Sequence, residues 1–560
     1  MPITAPTPTI DLVLKRNSIE RLKREKFPFA VLDELPDLIE RGYEDISEED
    51  IVRFQWYGLY HDKPKVGYFM MRVKIPSGIL TPKQLRTIGE LSRRIGRNDG
   101  ELTTRQNIQL HWIKLEHLPE IFPALAEAGL STLGGCGDTV RNITGCPVAG
   151  IDRDELFDCT PLLAEAARFF YGNREYSDLP RKHKITISTC AYHCNAPAIN
   201  CIVLIGAIKD GRRGYAIRIG GGLSSAPRVA QALNTWVPEE EAMDVLRAIL
   251  DAWRFNLQYR MSRAKARMKF MMDDFGPEGF RAEIERYLGH PMEDLPSPRR
   301  IGDTEHLGIN AQKQDGLYYI GFPVYLGRIS GDQMVALADL ADSVGGDVRL
   351  TRQQNFIVAN VPGAEVDRVA REVGDLGFPL DVSRLRGTSQ GCTGSPLCNY
   401  AVAETKVKLD EIVQHLEATF GREADGIIVN VDGCPHSCAH HWTADIGLQG
   451  STLRDKTGSG QKLEAYEIYL RGSLGEDAVI GRPIVRRVPA DDAKFYVERL
   501  IRAYLERRQP GEPFKGFADR SSDEELISIA SGRPLEEVEA EFKAAQSRRG
   551  GRVAAVEAAD

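Results

Sequence analysis

Two cysteine pairs are the residues of this chain best suited to chemistry: Cys392 and Cys398 in Gly-Cys-Thr-Gly-Ser-Pro-Leu-Cys, and Cys434 and Cys438 in Gly-Cys-Pro-His-Ser-Cys. Their C-x5-C and C-x3-C spacings put four potential thiolates into two short segments. Four thiolates are what an iron–sulfur cluster requires. A structural zinc site is the alternative, but zinc more often takes shorter spacings such as C-x2-C, so the pattern favours iron–sulfur. Each pair is expected in a loop that opens a helix, the second with Pro435 where the helix begins; free N–H groups there favour thiolates and an anionic cluster. The first half of the chain holds a similar pair, Cys190 and Cys194, with Cys201 beyond. Cysteine is often a small buried hydrophobe and Cys201 opens an apolar run, so these three are read as structural.

Four cations stand in suggestive settings. Arg105 lies in an alternating Leu-Thr-Thr-Arg-Gln-Asn-Ile-Gln-Leu-His-Trp run, and Arg141 follows a glycine-rich loop at 134–140. Lys182 and Lys184 lie two apart in Arg-Lys-His-Lys-Ile-Thr-Ile-Ser, which in a strand puts them on one face. Convergent cations suit a small oxyanion or a polycarboxylate; a solvated charged face is the plainer reading of any one of them. Arg263, Lys265 and Arg267 alternate as well and read most simply as solvated surface. Gly220-Gly221-Gly222 lacks a surrounding nucleotide motif and reads as a tight turn or a close approach.

The elements that must position these residues are duplicated. Thr104-Arg105-Gln106-Asn107 is echoed by Thr351-Arg352-Gln353-Gln354-Asn355, Gly145-Cys146-Pro147 by Gly394-Ser395-Pro396, and Val237-Pro238, before an acidic start to a late amphipathic helix, by Val488-Pro489. Thr81 with Gln84 and Ser330 with Gln333 predict capping boxes, each ahead of an apolar helical stripe. Each half reads as a strand (67–76; 317–326), a helix, a strand carrying the Thr-Arg-Gln run, and a second helix (119–129; 363–377). The predicted fold is α+β and internally duplicated with pseudo-two-fold character, each half a ferredoxin-like unit followed by a larger mixed α/β unit. The expected divisions are an N-terminal arm at 1–65, a half domain at 66–144, a mixed domain at 145–293, a Pro-rich linker at 294–305, a second half domain at 306–390, a second mixed domain at 391–510 and an appendix at 511–560, frayed from 547 onward.

Composition narrows the function classes. Over 560 residues, 72 basic against 80 acidic side chains give a net charge of −8, which argues against a dedicated nucleic-acid binder. At 42% hydrophobic and 27% charged the chain is globular in composition. Neither a signal-peptide pattern nor an apolar run long enough to cross a bilayer is read, so a cytoplasmic location without membrane contact is expected.

At these motifs the chain resembles the sulfite and nitrite reductases that couple sirohaem to a 4Fe-4S cluster, and most of all their ferredoxin-dependent bacterial sulfite reductase branch. The two cysteine pairs, Thr-Thr-Arg-Gln-Asn, Leu-Pro-Arg-Lys and the duplication carry the likeness over roughly residues 50–510. The resemblance implies that Cys392, Cys398, Cys434 and Cys438 hold the cluster, and that Cys438 also bridges to the sirohaem iron. It implies that Arg105, Arg141, Lys182 and Lys184 bind the substrate oxyanion, with Arg181, Arg263, Lys265, Arg267, Gln106, Asn107 and Asn142 toward the sirohaem carboxylates. Lys184 stands where plant-type nitrite reductases tend to carry Asn, which favours sulfite; ferredoxin-dependent nitrite reduction is the alternative, and a non-catalytic protein with structural zinc the remote one. Some relatives carry a Tyr–Cys bond beside the haem, and Tyr60 and Cys136 match its settings. The expected donor is ferredoxin, docking on a basic patch such as Lys15, Arg16, Arg21, Lys23 and Arg24, and the chain is expected to be a monomer.

Overall fold

The computed structural model describes residues 8–192, 194–299, 305–455, 460, 462–475 and 477–544. Part of the expected linker (300–304) and the end expected to fray (547–560) lie outside the described residues. The chain divides into two compact units, Met1–Val382 and Ser383–Asp560.

Fifteen described strands belong to the first unit: β1 (Leu59–His61), β2 (Phe69–Val73), β3 (Ile79–Leu80), β4 (Glu101–Leu102), β5 (Ile108–Ile113), β6 (Thr144–Gly145), β7 (Ile185–Ser188), β8 (Ile202–Lys209), β9 (Arg212–Ile219), β10 (Gln231–Pro238), β11 (Glu293–Asp294), β12 (Gly308–Ala311), β13 (Leu317–Phe322), β14 (Asp347–Leu350) and β15 (Phe356–Pro362). The second unit holds β16 (Gln390–Gly391), β17 (Val429–Asp432), β18 (Ile446–Arg454), β19 (Lys462–Leu470) and β20 (Arg482–Pro489). Two antiparallel sheets, in order β1-β2-β5-β4 and β12-β13-β15-β14-β3, are the paired ferredoxin-like halves, and β3 pairing with β14 joins them into one body. Their capped helices, Pro82–Arg94 and Gly331–Ser343, show both predicted capping boxes and pack against each other. The approach is close enough to need glycine on both sides: a Cβ on Gly331 would lie 2.6 Å from the Gly89 carbonyl oxygen, and one on Gly89 would lie 2.9 Å from that of Gly331.

The mixed domains share a second plan. The orders β6-β7-β8-β9-β10-β11 and β16-β17-β18-β19-β20 each open with two parallel pairs and continue antiparallel. Amphipathic helices Ala242–Arg254 and Ala493–Arg507 follow the fifth strand of each series, in the places their Val-Pro openings predicted.

Four expectations are corrected. The Thr-Arg-Gln runs are hairpin turns between β4 and β5 and between β14 and β15, not strands, because the Thr103 and Thr351 hydroxyls accept the Asn107 and Asn355 backbone N–H groups and close the loop. The turns match as 103–107 with 351–355, with Gln106 and Gln354 both at positive φ, so Gln353 rather than Arg352 stands opposite Arg105. Cys146 directly follows β6 as Cys392 directly follows β16; strand pairing, not the Gly-x-Pro echo, sets this correspondence, and Ser395 is not its counterpart. The end of the expected arm, Leu59–His61, pairs with β2 as an edge strand of the first sheet.

Candidate functional site

In the first unit the main-chain ladder brings distant cations together. Arg141 N–H donates to the His183 carbonyl (2.9 Å) and His183 N–H donates to the Thr139 carbonyl (3.0 Å), laying the glycine loop beside the segment of Lys182 and Lys184. Lys182 and Lys184 thus stand in the irregular lead-in to β7 rather than within a strand. The turn between β4 and β5 delivers Arg105, whose Nη1 donates to Asn200 Oδ1 (2.7 Å) and Nη2 to the Asn142 carbonyl (2.6 Å). Arg141 is buried and spends its guanidinium on the Gly135 and Gly137 carbonyls, at 3.0 to 3.2 Å.

The electrostatics are those of crowded cations. Burial, with Arg105, Arg267 and Lys182 nearby, pulls Lys184 well below the usual ammonium range. Burial holds Arg105 down at about 10; Cys201 and Tyr171 oppose this, while Arg141 and Arg267 add to it. The neighbours that set these shifts are cations, a thiol and a tyrosine. Buried guanidinium N–H groups at Arg105 Nε, Arg218 Nε and Arg267 Nε find no hydrogen-bond partner among the described residues. Unpaired buried donors of this kind fit an anionic ligand, either a small oxyanion or the carboxylates of a macrocycle.

The remaining cations sort by environment. Arg181 and Arg263 both clamp Asp138, at 3.1 and 2.8 Å. Burial alone would raise Asp138, but Arg263, Lys23 and Arg181 outweigh it and hold the carboxyl at about 2. Arg267 corrects the solvated-surface reading: it is buried and donates to Cys201 Sγ at 3.2 Å. Lys265 is exposed over the Phe270 ring. Gln106, Asn107 and Asn142 are occupied in holding the turn: Gln106 bonds Gly145 through both side-chain atoms, Asn107 Oδ1 accepts from Ile75 N–H, and Asn142 Nδ2 donates to the Ile75 and Arg105 carbonyls. Of the three, Asn142 holds the Arg105 backbone directly.

Lys74 was missed. Its buried ammonium donates to the Val140 carbonyl and lies 3.0 Å over the Tyr171 ring, and burial with Arg141 and Arg105 nearby drives it well below the ordinary ammonium range. The signal was a lysine in the otherwise apolar end of a core strand, between Val73 and Ile75. His183 was missed as well: it is buried with neither ring nitrogen hydrogen-bonded among the described residues, and burial beside Arg267 and Arg105 pulls it well below the usual imidazole range. Tyr60 and Cys136 lie together; burial and then the Cys136 thiol push the Tyr60 phenol up to about 12, and Arg72 Nη1 donates to Cys136 Sγ at 3.4 Å.

In the second unit the cysteines follow adjacent parallel strands, Cys392 after β16 and Cys434 just past β17. Gly433 N–H donates to Cys392 Sγ (3.3 Å), and Cys398 N–H donates to the Gly394 carbonyl (3.0 Å). No helix starts at Pro435. The Asp432 carboxylate takes the Ala439 N–H (2.7 Å), the His441 N–H (3.1 Å) and His441 Nδ1 (2.9 Å), folding the chain into turns through Ser437 and His440 at positive φ. Those bonds replace the helical ones and bring Cys438 back to an exposed position. Four cysteines on loops over a parallel strand pair fit the donor set of an iron–sulfur cluster.

Of the suggested docking patch, Lys15, Arg16, Arg21 and Arg24 are exposed, but Lys23 is not part of it. Lys23 is buried against Glu20 (2.6 Å) and Asp178 (2.9 Å), in a network that also takes Arg260. No helix among the described residues is long and apolar enough to cross a membrane.

A family model for the nitrite and sulphite reductase 4Fe-4S domain matches residues 136–292 and 384–536, and one for the nitrite/sulfite reductase ferredoxin-like half domain matches 61–128 and 310–376. The chain is 35% identical to sulfite reductase (ferredoxin) 2 of Mycolicibacterium paratuberculosis, over 91% of this chain and 96% of that protein. It is 35% identical to the assimilatory ferredoxin-dependent nitrite reductase of Haloferax mediterranei, over 94% of each. The solved structure of the Mycobacterium tuberculosis NirA protein superposes with a TM-score of 0.87 at 34% identity, covering 91% of this chain and 97% of that one.

Proposed function

The chain belongs to the nitrite and sulphite reductase family, whose members couple sirohaem to a 4Fe-4S cluster, and on that premise we propose that it reduces sulfite to sulfide with electrons from ferredoxin. The balanced step is SO3²⁻ + 6 e⁻ + 7 H⁺ → HS⁻ + 3 H2O. When bound, the sirohaem and its cluster would supply the redox chemistry, passing on the electrons that ferredoxin delivers. In the second unit Cys392, Cys398, Cys434 and Cys438 would hold the cluster, and Cys438 would also serve the sirohaem.

In the first unit Arg105, Arg141, Lys182 and Lys184 bind the oxyanion, and Arg267 and Arg181 serve the macrocycle carboxylates. The observation that carries this reading is the buried crowding of cations around Arg105, with a guanidinium N–H left unpaired. Such a site lowers its own energy by accepting an anion, and a dianion gains more than a monoanion. A lysine pulled below its usual range, as Lys184 is, gives up a proton more readily and regains it from solvent. That suits a reaction in which each departing oxygen leaves as water.

The test is kcat/KM for sulfite and for nitrite, side by side, on the holoenzyme with reduced ferredoxin. Clear preference for sulfite supports the reading. Clear preference for nitrite turns the assignment to nitrite reduction, which the relative from Haloferax makes the second reading.

A further inference from the structure

The first unit carries a counterpart of the cluster-binding loops. Cys146 directly follows β6 as Cys392 follows β16. Cys190 lies two residues past the end of β7 as Cys434 lies two past β17, and each is followed by a second cysteine at C-x3-C spacing, Cys194 and Cys438. The sixth residue after Cys146 is Asp152, where the sixth after Cys392 is Cys398. Three of four cysteines therefore recur at equivalent places, and the fourth is an acid. The reading of Cys190 and Cys194 as ordinary core residues treated them apart from Cys146, from which they are 44 and 48 positions distant in the chain.

Their spacing differs from that of the cluster cysteines in a telling way. Cys146 Sγ and Cys194 Sγ are 3.4 Å apart, too far for a disulfide bond, and His306 Nε2 lies 3.2 Å from Cys194 Sγ and 3.9 Å from Cys146 Sγ. Ligand atoms of Cys146, Cys194 and His306 all lie within 4.8 Å of one another, and so do those of Cys146, Asp152 and Cys190. Among the described residues no three of Cys392, Cys398, Cys434 and Cys438 gather as closely. A cubane holds its thiolates apart at its corners. A tetrahedral zinc ion with Zn–S about 2.3 Å and Zn–N about 2.0 Å draws its ligands to roughly 3.5–3.8 Å from one another. The distances among Cys146, Cys194 and His306 are close to those around a single ion, and Cys190 adjoins this set through Cys146.

We propose that Cys146, Cys190, Cys194 and His306 bind one zinc ion in a structural Cys3His site, distinct from the iron–sulfur cluster. All four are buried. The surroundings are built for the task. His306 Nδ1 is 3.3 Å from the Tyr319 hydroxyl, a partner that orients the ring and leaves Nε2 toward the thiols. Arg352 Nε donates to the Cys194 carbonyl at 3.0 Å, and Tyr192 N–H donates to Cys190 Sγ at 3.4 Å. Oδ2 of Asp152 is buried, has no hydrogen-bond partner among the described residues, and sits with Cys146 and Cys190 as a further oxygen donor at the edge of the set. The ion ties the start of β12, through His306, to the loops after β6 and β7. This proposal does not depend on whether sulfite or nitrite is the substrate.

The test is metal analysis of the full-length holoenzyme by plasma mass spectrometry, joined to zinc K-edge absorption. About one zinc per chain is expected beside the iron, with roughly three sulfurs near 2.3 Å and one nitrogen near 2.0 Å. Cys146→Ala and Cys194→Ala should each lower zinc at least tenfold while iron content and the haem absorbance stay at wild-type levels. Should those variants not fold, the edge spectrum of the wild-type protein decides alone. Zinc below about a tenth of an equivalent overturns the proposal, whether the thiols then prove free to alkylation, joined as a Cys146–Cys194 disulfide, or holding additional iron.

Discussion

Replacing Arg105 with methionine should separate catalysis from stability. The folded protein pulls this guanidinium down to about 10, which amounts to a penalty of about 3 kcal/mol on its charged form. Arg105→Met removes that penalty. It also leaves Asn200 Oδ1 and the Asn142 carbonyl without their donor, a cost of about 1–3 kcal/mol for each buried acceptor. The two effects nearly cancel, so the melting temperature should move by no more than about 5 °C. The oxyanion, by contrast, loses a positioned cation, and removal of one such donor costs about 10²–10³ in rate, or about 3–4 kcal/mol. The assay is kcat/KM for sulfite with reduced ferredoxin, on variant and wild type matched in iron content and haem absorbance, with thermal melts on the same samples. A kcat/KM within about threefold of wild type would refute the placement of Arg105 at the anion. A collapse of the melting temperature, with loss of the haem band, would refute the stability half of the argument.

Three further outcomes are expected. Lys184→Asn should raise the ratio of nitrite to sulfite kcat/KM by about tenfold or more, since a dianion gains more than a monoanion from each added charge; an unchanged ratio removes Lys184 as the discriminator. Tyr60 and Cys136 should appear in a tryptic mass map as one crosslinked species lighter than the two peptides by two hydrogens, and recovery of both peptides unmodified sinks the bond. His111 is buried between Asp62 (3.0 Å) and Glu101 (3.5 Å); burial would lower it, but the two acids outweigh that and raise it to about 10. A histidine raised above its unfolded value stabilises the fold fully below about pH 6.5 and loses that contribution as pH climbs through about 10. His111→Gln should therefore lower the melting temperature most near pH 6 and progressively less toward pH 10; a pH-independent difference contradicts the pairing.

The duplication, the capping boxes at Thr81 and Ser330, the amphipathic helices after Pro238 and Pro489, and the four cysteines of the second half were legible in the sequence because each is a local pattern. A cap needs a hydroxyl and a Gln three residues on; a pair of ligands needs a fixed short spacing. What the sequence could not show depends on partners far along the chain. Arg105 sits in a turn and not a strand because the Thr103 hydroxyl closes the loop. Lys23 is internal because Glu20 and Asp178 both take its ammonium and Arg260 bridges the two acids. Lys74 belongs with the cations because the Val140 carbonyl and the Tyr171 ring receive its ammonium. Cys146 corresponds in its own sheet to Cys392 because parallel pairing with β7 fixes its register, and it meets Cys194 and His306 only once that sheet has formed. Short-range spacing wrote the ligands and caps into the sequence. Burial and strand register, which act between segments tens to hundreds of residues apart, decided which charged and sulfur-bearing groups share one place.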